Sequence, residues 1–529
     1  MRALHRSAVF AAAGLLVSTI LVGLGSQPAV AAAPARIRSA GTGVAAPRSV
    51  NVSDVPATAN QPSSAPLTGR AATRRGSTPL PSLPSGPAGL KPGPARTTGG
   101  PNSASGRAVA QPQVAPPVVT NFVGINQASG CGGCQPPDVN AAVSTTQIVE
   151  AVNLRMQVFT KTGVTQCSFG LNAFLGTADS LSDPRVQYDN INARFSFTLT
   201  VVPASGTAAP ALWVGASQTS NGCGGWFIYR VTFSGGSYPP GTLLDYPILG
   251  QDTNALLFGT DNFTPTSENF TVFGIPKSAV YSGAGFSFGA FNTASLCAPV
   301  SNGGIPMIST PFSYFLCAVP GTGYRLYRLT NSGGAGATLT LQATISSPFS
   351  APTRRINQPG TTATLDPLDG RIEWSPVNDG NFIWFAHGID IGGFPGIRYG
   401  AISIASNTAT VALAFRSGTS DDFNASVGVG NSPTGGNFIY LNWAFTDTPA
   451  GVATSDTVDS VAPGGGVPNL IGTGTVLVNG ASTTEFRFGD FSSSTIDPSN
   501  ANGSCGLVAQ QYFDAAGTWA TRIARVGTC

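Results

Sequence analysis

Six aspartates lead a phrase that recurs along the chain: Asp138, Asp183, Asp252, Asp366, Asp422 and Asp490. Each is followed by a short strand-like run, a turn rich in Asn, Asp and Gly, and a second apolar run, as in "SDPRVQYDNINARFSFTLTV". Carboxylates repeated in this way can do one of two things. If the repeats close into a ring, the leading acids converge on one mouth. There they repel one another, and a calcium ion or a cationic ligand group is needed to offset the charge. If each acts alone, it accepts backbone N–H bonds and caps its own turn. The six are the candidate ligand-binding residues, and calcium is the candidate cofactor.

Catalytic patterns are sparse. "GFSFG" (285–289) matches G-x-S-x-G with Ser287 as nucleophile, and His387 lies downstream with Asp366, Asp369 and Asp379 between. That motif needs a strand–turn–helix context, and "YSGAGFSFGAFN" offers no helix; with 66 glycines in the chain, a chance match is cheap. His387, in the strand-like "NFIWFAHGI", reads as a structural histidine. The body has only Glu150, Glu268, Glu373 and Glu485 as glutamates, so a glycosidase pair would draw on the aspartates. "SPVNDGNFIW" (375–384) reads as a hairpin turn, and "DPLDGRIE" (366–373) carries oxygen ligands without the full EF-hand pattern. There is no phosphate loop and no basic–aromatic face, so nucleic acid is not an expected partner.

Cys131-Gly-Gly-Cys134 could hold a metal, run redox chemistry or form a staple. The compartment bears on the choice. Arg2, His5 and Arg6 precede an apolar run from Ala8 to Gly25, and small residues end at Ala31, the pattern of a secretory signal peptide over 1–31. No second apolar run of that length follows, so no membrane span is expected after cleavage, and the product is expected to be secreted or held at the cell surface. Eight cysteines in an exported chain point to disulfides. The candidate pairs are Cys131–Cys134, Cys297–Cys317 and Cys505–Cys529, leaving Cys167 and Cys223, although spacing alone fixes none of them.

Residues 32–117 carry 15 prolines and no Phe, Trp or Tyr, and their nine Lys/Arg against Asp54 give a net charge of +8. Such a composition buries too little apolar surface to offset its ordering entropy, so a disordered basic linker is expected. It could rest on anionic wall polymers or serve as a spacer. Residues 118–529 carry 16 Lys/Arg and 23 Asp/Glu, a net of −7. Their apolar runs are four to nine residues long, with turn residues between, which predicts an all-β body. The aspartate intervals are 45, 69, 114, 56 and 68, and 114 is twice 57, which leaves room for one degenerate repeat between Asp252 and Asp366. Seven units of about four strands each predict a β-propeller, with six blades as the alternative.

The motifs "PPDVNAAVSTTQIVEAVN", "DPRVQYD", "GTTATLDPLDGRI" and "FGDFSSSTIDPS" resemble those of a group of exported bacterial β-propeller proteins, over most of residues 120–527. The resemblance implies the propeller fold and export. It carries no activity and no catalytic residue. The chain is expected to be a monomeric binding module for extracellular polysaccharide, wall polymer or protein. The alternative is a secreted carbohydrate-active hydrolase or lyase using loop carboxylates. An enzyme should bring two acids, or an acid with an Arg or Tyr, into one pocket. A binding module should present an exposed aromatic platform.

Overall fold

The computed structural model describes residues 37, 39–56, 116–334, 336–431, 437–461, 474–485 and 487–529. All belong to one compact unit, Ala35–Cys529. The signal-like segment 1–31 and most of the linker lie outside the described residues.

The strand Arg194–Val202 shows how the sequence builds the fold. Its apolar side chains, Phe195, Phe197, Leu199 and Val201, alternate with Ser196, Thr198 and Thr200, and all are buried. The apolar face packs with Val149, Val158 and Phe169. From the other face, Thr200 Oγ1 donates to the Leu244 carbonyl at 2.9 Å. A strand covered on both sides by neighbouring sheets is a blade strand, and the chain is a β-propeller. Its sheet order divides the described residues into seven four-stranded antiparallel meanders, over 140–170, 180–234, 243–293, 298–346, 377–414, 421–478 and 493–527. The last is completed by β3 (Val118–Asn126), which pairs with Trp519–Gly527.

The inner strands touch in sequence around the ring. Asn140–Val143 meets Ser180–Asp189, which meets Leu243–Gln251, and Ser493–Ile496 returns to Asn140–Val143. Between the fourth and fifth meanders, Ser301–Asn302 pairs in parallel with Val377–Asn378. Because β3 comes from the N-terminal side and the rest of its sheet from the C-terminal end, closure ties the two ends of the body together and leaves few open edges.

The eight cysteines form Cys131–Cys134, Cys167–Cys223, Cys297–Cys317 and Cys505–Cys529. Cys131–Cys134 sits at the end of the short helix Gln127–Cys131, which leads from β3 toward the first meander. It is a disulfide staple, and among the described residues no group of three or more His, Cys, Asp or Glu is arranged to hold a metal there.

One expectation is corrected. The linker is not structureless throughout 32–117. β1 (Ser39–Ala45) pairs with Gly225–Ser234 on one side and Phe286–Thr293 on the other, and β2 (Pro47–Asn51) extends the pairing on Gly225–Ser234. These strands join the second and third meanders into one ten-stranded sheet. Composition averaged over the linker hides this segment. Its backbone bonds to two open edges supply what its side chains lack, and Gly43 leaves no room for a Cβ against the Phe288 ring.

Candidate functional site

The six aspartates do not form one ring of ligands. Three converge at one end of the axis. Asp138 and Asp183 both have left-handed backbone (φ 52° and 56°) on the approach to or at a kink in their inner strands, and Asp490 leads into the last meander. The Asp490 N–H donates to Asp138 Oδ1 at 2.8 Å, and the Tyr246 N–H donates to Asp183 Oδ2 at 3.0 Å. Asn153 bridges the first two, donating to Asp138 Oδ2 at 2.7 Å and accepting the Asp183 N–H at 2.9 Å. These carboxylates therefore clamp adjacent meanders by accepting backbone and amide hydrogens.

The other three stand elsewhere. Asp252 follows Leu243–Gln251, whose start carries Tyr246, so it sits at the opposite end of the axis. Asp366 lies in the long segment 347–376, where its side chain is 45% exposed and accepts the Leu368 N–H at 2.9 Å. Asp422 is buried against Trp443, whose Nε1 donates to it at 2.9 Å. Among the described residues no group of three or more His, Cys, Asp or Glu is arranged to hold a metal ion. The calcium expectation loses its geometric basis with the ring of six.

Around the three axial aspartates lies a polar cluster with a buried centre and an exposed rim at Asp369. Arg185 is 1% exposed, its guanidinium stacks on Phe491 at 3.3 Å from the ring centre, and none of its nitrogens hydrogen-bonds to a protein group. Arg371 stacks on Tyr246 at 4.8 Å and pairs with Asp369 at 2.6 Å. Arg487 grips both oxygens of Asp490 at 3.1 Å. Glu373 is fully buried, and burial pushes its carboxyl well above the usual range, with Asp490 and Asp369 adding to the effect. Segment 347–376 covers this end. Its Ile356 and Leu365 pack with Val139, Phe423 and Phe488, and Gln358 exchanges hydrogen bonds with the Thr483 backbone. Below the cluster the inner strands and residues 303–307 line an axial cavity of about 90 Å³. That is room for a few water molecules, not for a sugar ring.

The opposite face carries a larger concavity. Turns of the second, third and fourth meanders enclose about 590 Å³, lined by Asn192, Thr253, Asn254, Ser278, Tyr281, Phe312 and Asn331 among others. Beneath it, Lys277 Nζ donates to Asp189 Oδ2 at 2.6 Å and to Gln251 Oε1 at 3.0 Å, and Tyr281 OH donates to the same Asp189 oxygen at 3.0 Å. The other Asp189 oxygen accepts the N–H groups of Ile191 and Asn192. Burial alone would raise the Asp189 carboxyl, but Lys277 outweighs it and holds it below the usual value. Asp252 accepts the N–H groups of Asn254 and Ala255, each at 2.6 Å, and the hydroxyls of Ser332 and Ser313. A carboxylate has about four lone-pair sites, so both acids are fully engaged. The repeat phrase picked out Asp252 but gave no hint of the concavity. The one local signal was Lys277, which with Lys161 makes up all the lysine of the body.

The remaining chemical motifs are structural. Ser287 lies on Phe286–Thr293, paired with β1, with no turn into a helix. His387 is fully buried and bonded to Tyr324 Oη at 3.0 Å, and burial pulls its pKa down to about 3, so it stays neutral. Asp379 caps a hairpin by accepting the N–H groups of Asn381 and Phe382. An exposed aromatic platform is not formed among the described residues, where Phe382 is the one aromatic among the exposed large apolar side chains.

No family model and no curated protein sequence matches the chain. Solved structures similar to it include an alpha-L-arabinanase from Penicillium chrysogenum, at 11% identity and a TM-score of 0.35, covering 65% of this chain and 92% of that one. An exo-beta-1,3-galactanase from Phanerochaete chrysosporium matches at 9% identity and a TM-score of 0.30, covering 78% and 99%. The endosialidase of phage phi92 matches at 7% identity and a TM-score of 0.33, covering 74% and 67%. At TM-scores below 0.5 these likenesses carry no weight for the function of this chain.

Proposed function

We propose that this protein is an exported or cell-surface binding module for polysaccharide or wall polymer, built as a seven-bladed propeller in which each meander is one blade. The observation that supports binding over hydrolysis is where the acids lie. Burial raises the Glu373 carboxyl in the direction a general acid needs, but Glu373 is itself a fully buried part of segment 347–376, covered around Ile356 and Leu365 and above a cavity too small for a sugar. The acids at the open concavity, Asp189 and Asp252, have no lone pair left to take or give a proton. Four disulfides and the signal-like N-terminus favour work outside the cell.

The hydrolase or lyase reading keeps one argument: Glu373 and Asp490 lie close together with Arg185 and Arg371. It requires the covering part of segment 347–376, residues 356–365, to move aside while Arg371 and Glu373 stay in place. Purified full-length secreted protein, incubated with neutral and anionic polysaccharides, tests the choice. Retardation in polysaccharide-containing gels with no release of reducing ends or unsaturated products is expected. Product release that disappears in E373Q would overturn the binding reading.

A further inference from the structure

We infer that the concavity formed by turns of the second, third and fourth meanders is the ligand site, and that it takes a neutral, hydroxyl-rich glycan; this rests on the binding-module reading. A volume of about 590 Å³ falls in the range of small-molecule sites and suits a short oligosaccharide stretch.

The lining argues for the class. Sugar hydroxyls both donate and accept, so they are best read by amides and hydroxyls, which do the same. Thr253, Asn254, Ser278 and Asn331 supply these groups, and among the described residues no hydrogen bond engages their side chains, those of Asn254 and Ser278 being made by the backbone. The rings of Tyr281 and Phe312 give half-buried apolar surface for the C–H faces of a sugar. Phe312 is held in place by the Arg328 guanidinium, 4.2 Å from its centre.

The charges argue against an anionic ligand. Lys277, the cation lining the concavity, is 3% exposed and consumed by Asp189 and Gln251, so it has no free charge to offer a phosphate or uronate. Asp252 leaves the local balance negative. The Lys277–Asp189–Tyr281 linkage instead fixes the short helix Lys277–Ser282 that forms one wall. A pre-positioned wall spares the ligand the cost of ordering it.

The test uses full-length protein and two variants at exposed positions. S278W fills the concavity. N254A/N331G removes two amides, glycine being chosen because Asn331 has φ 53°. Thermal midpoints within two degrees or so of wild type check that both are folded. Affinity is measured by gel retardation and calorimetry against soluble β-glucan, mannan, galactan and arabinan, and against polygalacturonate and poly(glycerol phosphate). Wild type should bind at least one neutral polymer, and both variants should bind it at least tenfold more weakly. Neutral binding unchanged in both folded variants would overturn the site while leaving the binding module standing. Binding confined to the anionic polymers would overturn the ligand class. Failure of wild type to bind any of the six would overturn the inference and the binding reading together.

Discussion

Closure of the ring should depend on pH through one carboxyl. Glu150 lies on Gln147–Val152 in the first meander, fully buried, with Oε2 accepting the Ile125 N–H of β3 at 3.0 Å. Gly124 passes so close to the carboxyl that a Cβ there would have no room. Burial pushes the Glu150 pKa from 4.5 to about 7, against the bonds from Thr521 and Ile125 that favour the charged form. A carboxyl whose folded pKa is raised contributes its full stability below the unfolded value, and that stability is lost as pH rises through the folded value. The span from 4.5 to about 7, at 1.36 kcal/mol per pH unit, corresponds to about 3 kcal/mol, of which about 2–3 kcal/mol falls between pH 5 and 8. Glutamine keeps the shape and the acceptor for Ile125 but cannot ionise. Urea unfolding of wild type and E150Q at pH 5 and pH 8, followed by tryptophan fluorescence, isolates this group from Asp456 and Asp261, whose pKa values are raised to about 8. E150Q should gain about 2–3 kcal/mol on wild type between the two pH values. An equal difference at both would refute the reasoning.

Other outcomes follow from the same geometry. Deleting residues 39–51 should lower the thermal midpoint by several degrees, because β1 and β2 bond to two blade edges; an unchanged midpoint would mean they pack without stabilising. D183A strands the buried Tyr246 N–H and should cost about 1–3 kcal/mol. D366A, at a side chain 45% exposed, should stay within about 0.5 kcal/mol, and equal costs for the two would contradict their different placement. C167S/C223S opens a link spanning 56 residues between the first two meanders and should destabilise by about 2–5 kcal/mol in denaturant titration.

Much of the architecture was legible in the sequence. Alternating runs such as "RFSFTLTVV" predicted blade strands, and the regular phrase predicted a ring. The four candidate cysteine pairs form, although spacing alone fixed none of them. The site was less legible. The phrase aligned Asp252 and Asp422 with Asp138 by their turns, but the position that Asp138 and Asp183 occupy in the first two meanders is marked by left-handed backbone. In the third and sixth meanders the residues so marked are Tyr246 (φ 53°), which has no carboxylate, and Asn424 (φ 55°), which keeps aspartate's shape and γ-carbonyl but not its charge. Arg185 and Glu373 stood unmarked because burial, not residue type, makes them unusual. The concavity was invisible because it is assembled from turns of three meanders, 192, 252–254, 276–281, 310–313 and 329–333, brought together only by ring curvature. The strands β1 and β2 were missed because backbone pairing with existing edges requires little side-chain burial.

The most direct test of the account is an amide hydrogen-exchange footprint of the full-length protein with an oligosaccharide prepared from whichever neutral polysaccharide it binds. Protection should appear in residues 252–254, 276–281, 310–313 and 329–333, with residues 369–374 and 487–491 unchanged. Protection confined to 369–374 and 487–491, with cleavage of the oligosaccharide, would contradict the account and favour an enzyme working at the axis.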